Sequence, residues 1–299
     1  MPRVFDQEAD SWAMYGQGTW NVTNALRLTL GLRYNEETKD LDKATDSEGL
    51  QVRVASIPTL LVYSDPANFY SIADLRQHSF TDLSRDEDKV TYSTNVQWDI
   101  SDDTMLYASV STGFKGGGFD ESYSGAGYEI RLVNPFTNEP IGGSVPGNDP
   151  SILEVEDEEV LAYELGAKMS LLEGAAELNF AVFRMEYDNL QVSSLVGDVF
   201  RVGNAAEALS QGLELDGRIL LSEGLTIGGA MAYLDASYED FTGATCTTPQ
   251  SMDPTNNPGC LTEDGSNITE PRQPGGQDLS GETLVFSPEW SASLFAQYV

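Results

Sequence analysis

Apolar and polar residues alternate with a period of two along most of this chain. In the stretch "LRLTLGLRYN" the even positions from Leu26 to Tyr34 are apolar, and the odd positions from Arg27 to Asn35 are polar or small. The stretch "VTYSTNVQWDI", from Val90 to Ile100, repeats the pattern. Because successive side chains of a strand point to opposite faces of a sheet, the alternation predicts β-strands with one apolar and one polar face.

Nine such strands are predicted, and their connections alternate between short and long. The strands lie at about residues 9–22, 24–40, 87–100, 103–119, 155–172, 174–195, 198–220, 224–241 and 281–299. Tight turns are expected at "NVTNA", "DISDDT", "SLLEGA" and "LLSEGL", and long segments at about 40–87, 120–155 and 242–281 separate them. The one exception is "LVGDV", a short connection where a long one is expected.

This arrangement of connections predicts the fold class. Outer-membrane barrels have short periplasmic turns and long extracellular loops, whereas a soluble sandwich has no reason to keep its long loops at one end. No run of about 18 apolar residues occurs, so no transmembrane helix is expected. Aromatic residues near strand ends, such as Trp12, Trp98 and Trp290, suit the girdles of a barrel. The chain is therefore predicted to be all-β, an antiparallel transmembrane β-barrel.

The charge of the chain excludes one class of partner. Its 48 acidic and 16 basic residues give a formal net charge of -32, and nucleic acid requires a basic surface instead. More than half of this charge lies in the three long segments, so the extracellular loops are predicted to be acidic. Their acids, including "EVEDEE" at Glu154–Glu159, either bind cations that bridge to lipopolysaccharide or only provide solubility. Such loops would not attract an anionic siderophore, which favours a neutral or cationic cargo.

A glycine-rich stretch raises the alternative of a phosphate site. "GFKGGG" follows a strand at Gly113–Gly118, but the next residues, "FDESYSGAGYEI", are acidic and lack the helical period that a phosphate-binding loop requires. The stretch is therefore interpreted as a strand leaving the membrane. The chain has a single histidine and no Ser/His/Asp or Cys/His set, so neither an enzyme nor a cofactor is expected.

Three motifs resemble a known family. "LYASVSTGFKGGGF" (Leu106 to Phe119) resembles the first hallmark strand of TonB-dependent outer-membrane receptors. "YELGAKMSLLEGAAELNFAVF" (Tyr163 to Phe183) is similar to the Tyr-Glu-x-Gly-x-Lys hairpin of that family, and "VGNAAEALSQGLELDGR" (Val202 to Arg218) is similar to a second hallmark. The motifs occur in the family's order and span most of the chain.

The resemblance implies a function in the outer membrane of a Gram-negative bacterium. Members of the family form barrels of about 22 strands that contain a plug, and a TonB-type energy-coupling protein drives uptake. The implied partners are outer-membrane lipid and lipopolysaccharide, the coupling protein, and a small-molecule or metal-chelate cargo, most often a ferric siderophore. Ligand-contacting residues are not identified.

Residues 1–299 are expected to form a partial β-barrel domain of such a receptor. No signal peptide, coupling segment or plug is recognised in the sequence, and nine strands are fewer than the family barrel needs. The terminal strands are therefore expected to be missing, and the chain is interpreted as a fragment or a truncated reading frame. Two other functions stay open: a passive porin-like channel, and a surface adhesin anchored by its barrel.

The two cysteines generate a prediction of their own. Cys246 and Cys260 lie in a segment rich in Pro, Asn and Thr, without metal-ligand partners nearby. An extracellular loop matures through an oxidising compartment, where a local disulfide is expected in preference to two free thiols. Mass spectrometry of the protein purified from outer membranes without reductant should find the two residues linked. Two thiols that react with an alkylating agent would contradict both the bridge and the compartment.

Overall fold

The computed structural model describes residues 3–45, 78–120, 153–196, 199–242, 244, 246–247, 249–250 and 277–299. Most of the three predicted long segments lies outside these ranges. Cys260 does as well, so the pairing of Cys246 with Cys260 stays a prediction. Within the described ranges no helix combines the length and the apolar character needed to cross a bilayer.

The described residues are mostly β-strands. In chain order these strands are β1 (Arg3–Asn21), β2 (Leu26–Thr45), β3 (His78–Ser101), β4 (Thr104–Lys115), β5 (Gly118–Phe119), β6 (Glu154–Val155), β7 (Glu158–Leu171), β8 (Ala176–Val196), β9 (Val199–Ser222), β10 (Leu225–Asp240) and β11 (Trp290–Tyr298). A 3-10 turn at Leu172–Gly174 joins β7 to β8.

Nine of these strands form one antiparallel sheet. Its order is β1-β2-β3-β4-β7-β8-β9-β10-β11, so neighbours along the chain are neighbours in the sheet, and β5 pairs only with β6. This confirms the predicted fold class and strand order. The connection at "LVGDV" is short as predicted, because Val196 pairs directly with Val199.

The register gives the sheet one apolar and one polar face. Leu28 lies opposite Val96, and Leu165 lies opposite Val182. Following the register across the sheet places these apolar residues on one face: Leu28, Leu30, Leu165, Met169, Leu213 and Ile219. Arg27, Lys168 and Glu214 lie on the other face, as the alternation predicts. We call the two surfaces the apolar face and the polar face.

Aromatic rings on the polar face cover glycines of the neighbouring strand. Tyr107 of the first motif lies opposite Gly166 of the "YELGAKM" motif, where a Cβ would come within 2.5 Å of the ring. The Tyr107 hydroxyl donates to Glu164, which belongs to the same motif. Phe295 likewise covers Gly228. The absence of a side chain at these glycines therefore makes room for a ring and adds to cross-strand packing.

Several strand boundaries differ from those predicted: β1 and β3 begin earlier, at Arg3 and His78, β2 ends later, at Thr45, and two strands are clearly shorter. β4 ends at Lys115 and not near 119, and β11 begins at Trp290 and not near 281. Before β11 the backbone is left-handed at Gly281 and Phe286, with φ of 81° and 61°. These residues interrupt the extended chain, which still bonds to β10 through Leu284 N and Ala236 O. The break after β4 has a tertiary cause, described below.

Aromatic contacts mark the limits of the apolar face. Trp12 contacts Tyr34 with ring centroids 5.3 Å apart, and Tyr233 contacts Trp290 at 4.9 Å. Trp20 lies at the short-turn end of β1, about 26 Å along the strand from Trp12. Because barrel strands tilt by about 35–45°, that spacing corresponds to about 20 Å across the membrane, within an apolar band about 25 Å tall.

Leu30 lies between these aromatic levels on the apolar face, where it is 52% exposed. Replacing it with arginine would place a charge in hydrocarbon if this face contacts lipid. We expect Leu30→Arg to lower the free energy of unfolding by about 2–4 kcal/mol in lipid vesicles. The matched variant Thr29→Arg lies on the polar face and should cost much less. Equal losses for the two variants in urea titrations would contradict a lipid-facing surface.

Candidate functional site

The glycine-rich stretch crosses the polar face at the loop ends of β2 and β3. After Lys115 the chain leaves the sheet, and β5 pairs with β6 through Gly118 opposite Val155. The amide of Asp120 then donates to the carbonyl of Leu153 over 2.8 Å. We call residues 116–120 and 153–157 the strap.

Glycine is required in the strap because the backbone approaches its neighbours closely. A Cβ on Gly117 would lie 2.3 Å from the carbonyl oxygen of Val155 and 2.8 Å from Nε of Arg85. The Gly117 amide donates to Oε2 of Glu87 over 3.0 Å, and its carbonyl accepts from Nζ of Lys39. The stretch therefore binds the carboxylate of Glu87 and the ammonium of Lys39 on the polar face, and it does not open a phosphate-binding loop.

A small apolar core holds the strap down. Leu41, Phe80 and Leu153 are buried, and further apolar side chains pack around them, Phe5, Leu83 and Phe119 among them. The alternation in exposure along β3 shows the same cover, because residues 83, 85, 87 and 89 are half-buried whereas residues 84, 86, 88 and 90 are exposed. The strap therefore shields the polar face of β3 and leaves its other face open.

Charged side chains on the polar face of β2 and β3, which we call the wall, lie beneath the strap in like-charged pairs. Lys39 lies directly opposite Arg85, and Glu37 lies directly opposite Glu87. Like charges in such positions destabilise a sheet unless counter-charges are near. Lys39 Nζ contacts Glu37 at 2.8 Å along its own strand, which offsets part of the repulsion.

Acids of the strap and of β7 supply further counter-charges to β3. Lys89 Nζ contacts Asp157 at 2.7 Å and also bonds to Glu159. These two hydrogen bonds hold the pKa of Lys89 above its usual range. Arg85 lies 3.7 Å from Glu154, 3.8 Å from Asp157 and 3.8 Å from Glu87. All three carboxylates are thus farther from Arg85 than Asp157 is from Lys89.

A buried asparagine from the second motif fixes the position of these acids. Asn204 is 4% exposed, and its side chain accepts from the amide of Glu156 and donates to the carbonyl of the same residue, over 2.7 and 2.8 Å. Gln191 adds bonds to the carbonyls of Gly116 and Glu156. Residues of the first and second motifs therefore meet at the strap, which gives the asparagine of "VGNAAEALSQG" a structural role.

The structure corrects one interpretation of the sequence. Glu154–Glu159 was predicted to provide solubility or to bind cations, but Glu154, Asp157 and Glu159 lie against Arg85 and Lys89. In the part of the chain that the structure describes, no three His, Cys, Asp or Glu side chains are grouped to hold a metal ion. The acids of this site are counter-ions for wall cations.

Sequence reasoning missed the residues that form this site. Lys39, Arg85 and Lys89 are isolated bases within acidic stretches, and Arg85 lies in the segment of about 40–87 that the sequence predicts to be a loop, although β3 in fact begins at His78. Asn204 was visible as part of a motif, although its partner was not. Cys246 is not among the residues that meet here, and Cys260 lies outside the described residues.

The close approach at Gly117 generates a testable difference between adjacent glycines. Gly117→Ala should displace the strap, because its Cβ would overlap a backbone carbonyl that cannot move alone. Gly118→Ala is the matched control, since its Cβ would meet only the Lys39 side chain at 3.5 Å or more. Hydrogen exchange at the Asp120 amide should accelerate at least tenfold in Gly117→Ala only, which corresponds to about 1.4 kcal/mol of local stability. Similar exchange rates in both variants would contradict the packing described here.

Solved structures of three receptors share this fold. The ferric yersiniabactin uptake receptor FyuA from Yersinia pestis is 14% identical, with a TM-score of 0.58 over 99% of this chain and 32% of that chain. The siderophore receptor PiuA from Acinetobacter baumannii is 17% identical, with a TM-score of 0.56 over 98% and 32%. The closed form of the ferric-catecholate import receptor Fiu from E. coli K12 is 15% identical, with a TM-score of 0.52 over 98% and 32%. The chain thus spans about a third of the length of each.

Sequence comparison gives the family directly. No curated protein sequence matches this chain significantly. The family model for the β-barrel of TonB-dependent-receptor-like proteins matches residues 2–299, which is nearly the whole chain. The resemblance seen in the three motifs is therefore confirmed, and the chain belongs to the TonB-dependent receptor β-barrel family.

Proposed function

We propose that this chain forms part of the barrel wall of an outer-membrane receptor that takes up a nutrient such as a ferric siderophore. The uptake is driven by a TonB-type coupling protein, which engages the complete receptor. The proposal rests on one observation: this member of the family forms a sheet of long strands with one apolar and one polar face. Because the chain spans about a third of the similar receptors, its cargo and partners are part of the proposal.

The apolar face supports a location in a membrane. Large apolar side chains on it are strongly exposed even on interior strands, with Leu32 and Leu165 both at 60%. A water-soluble protein rarely exposes a continuous apolar surface of this extent, whereas the lipid-facing surface of a barrel requires one. Hydrocarbon also demands that backbone groups be paired, and the nine-stranded ladder pairs them along the sheet.

The polar face supports transport in preference to catalysis. It carries charged pairs such as Arg27 with Asp99, at 2.6 Å, and Arg218 with Glu177, at 2.7 Å. Such pairs suit a wall that faces trapped water and other protein inside a barrel. The similar receptors are receptors for ferric yersiniabactin, a siderophore and ferric catecholates, which supports a ferric chelate as the cargo.

The test uses the complete gene that encodes this chain, deleted and restored in its own cell. Restored cells should take up an iron-55 chelate under iron limitation, deleted cells should not, and a protonophore should stop uptake. A passive channel would conduct the chelate regardless of the protonophore. An adhesin would leave uptake unchanged by the deletion and alter surface attachment instead. Either result would overturn energy-coupled import.

A further inference from the structure

Among the described cations beneath the strap, Arg85 is the one whose guanidinium makes no hydrogen bond. Lys39 and Lys89 each make short contacts with carboxylates. The nitrogens of Arg85 lie 3.7–3.8 Å from their three carboxylates, beyond the usual length of a hydrogen bond. Among the described residues Arg85 Nε is buried without a hydrogen-bond partner. The charge of Arg85 is therefore neutralised by nearby carboxylates, but its guanidinium does not form hydrogen bonds with them.

The ends of the Arg85 guanidinium point to two carboxylates that differ in freedom. Nη1 faces Glu154 and Nη2 faces Asp157. Asp157 is also held by Lys89 at 2.7 Å and is 17% exposed, whereas Glu154 is 42% exposed. Moving Glu154 into water would therefore cost little, because exposed ion pairs contribute little stability. Asp157 would stay in place.

We propose that Glu154 is an internal counter-ion that an anionic group of the cargo displaces from Arg85. This inference rests on the proposed function and names the class of cargo, a ferric chelate with carboxylate or catecholate oxygens. A guanidinium binds two planar oxygens through two parallel hydrogen bonds, which its present carboxylates do not provide. Displacement would replace a contact of 3.7 Å with short, charge-assisted bonds.

Acids are divided unequally between the faces, and the polar face carries Glu37 and Glu87 beside its cations, so a cargo there would meet a charge closer to neutral than the net charge of the chain. On β1–β3 beyond the Trp12–Tyr34 contact, many acids occupy the face opposite to Arg85, namely Asp6, Glu8, Asp10, Glu36, Asp40, Asp42, Asp86 and Asp88. The cations Lys39, Arg85 and Lys89 all lie on the polar face. The net charge of the chain therefore does not describe the wall that a cargo inside the barrel would meet.

The test measures equilibrium binding to the full-length, detergent-purified protein with two probes, an anionic ferric tricatecholate and a neutral ferric trihydroxamate. Glu154→Gln should bind the anionic chelate about three- to tenfold more tightly and the neutral chelate unchanged, because the competitor is lost. Asp88→Asn is the matched control, since it removes the same charge from the other face of β3. Arg85→Lys keeps the charge but loses the planar fork, and should weaken binding of the anionic chelate about tenfold.

Each alternative outcome is decisive. Equal gains in affinity for Glu154→Gln and Asp88→Asn would show a nonspecific effect of removing one negative charge, and would overturn displacement. Unchanged or weaker binding in Glu154→Gln would also overturn it. Wild-type affinity in Arg85→Lys would overturn the role of the guanidinium. A wild-type protein that does not bind the anionic chelate overturns the inference alone, if protonophore-sensitive uptake of the neutral chelate still occurs. Loss of all such uptake overturns the proposed function as well.

Discussion

The rest of the structure depends on the register of the antiparallel ladder. A slip of one residue between two strands would move every side chain of one strand to the other face. The pairs of Leu28 with Val96 and of Leu165 with Val182 show that the register keeps apolar residues together across strands that are distant in sequence. The same hydrogen bonds satisfy the backbone in a solvent that offers no others. One set of interactions therefore fixes both the membrane surface and the inner wall.

Much of this fold could be predicted from the sequence because the period-two pattern is local. The strands β2, β3 and β7 follow it closely in their membrane-facing stretches, and glycine or polar turn residues mark the short connections. The end of β4 could not be predicted in this way, since the alternation of Leu106, Ala108, Val110 and Phe114 runs directly into the glycines. What ends the strand is contact between Gly117 and residues of β3 and β6, and contacts of that kind leave no local pattern.

The site was harder to predict for the same reason. Arg85 and Asp157 are far apart in the chain and meet only because β5 and β6 fold back over the polar face. The motifs marked where the important backbone lies, but not what it contacts. Asn204 illustrates the limit, because a motif with an asparagine does not reveal that its side chain bonds to both the amide and the carbonyl of Glu156. Sequence identified the segments, and tertiary structure assigned their partners.

The wall and the strap stabilise each other through charge. Lys39 opposite Arg85 and Glu37 opposite Glu87 are two like-charged cross-strand pairs, whose repulsion the contacts of Lys39 with Glu37 and of Arg85 with Glu87 offset only in part. Without the wall, the carboxylates of Glu154 and Asp157 would lie close together without a cation. Bringing the two together offsets both repulsions, and the backbone of Gly117, bonded to both Lys39 and Glu87, fixes the geometry. Gly117, which looks like a loop residue in the sequence, thus joins two charged surfaces that stabilise each other.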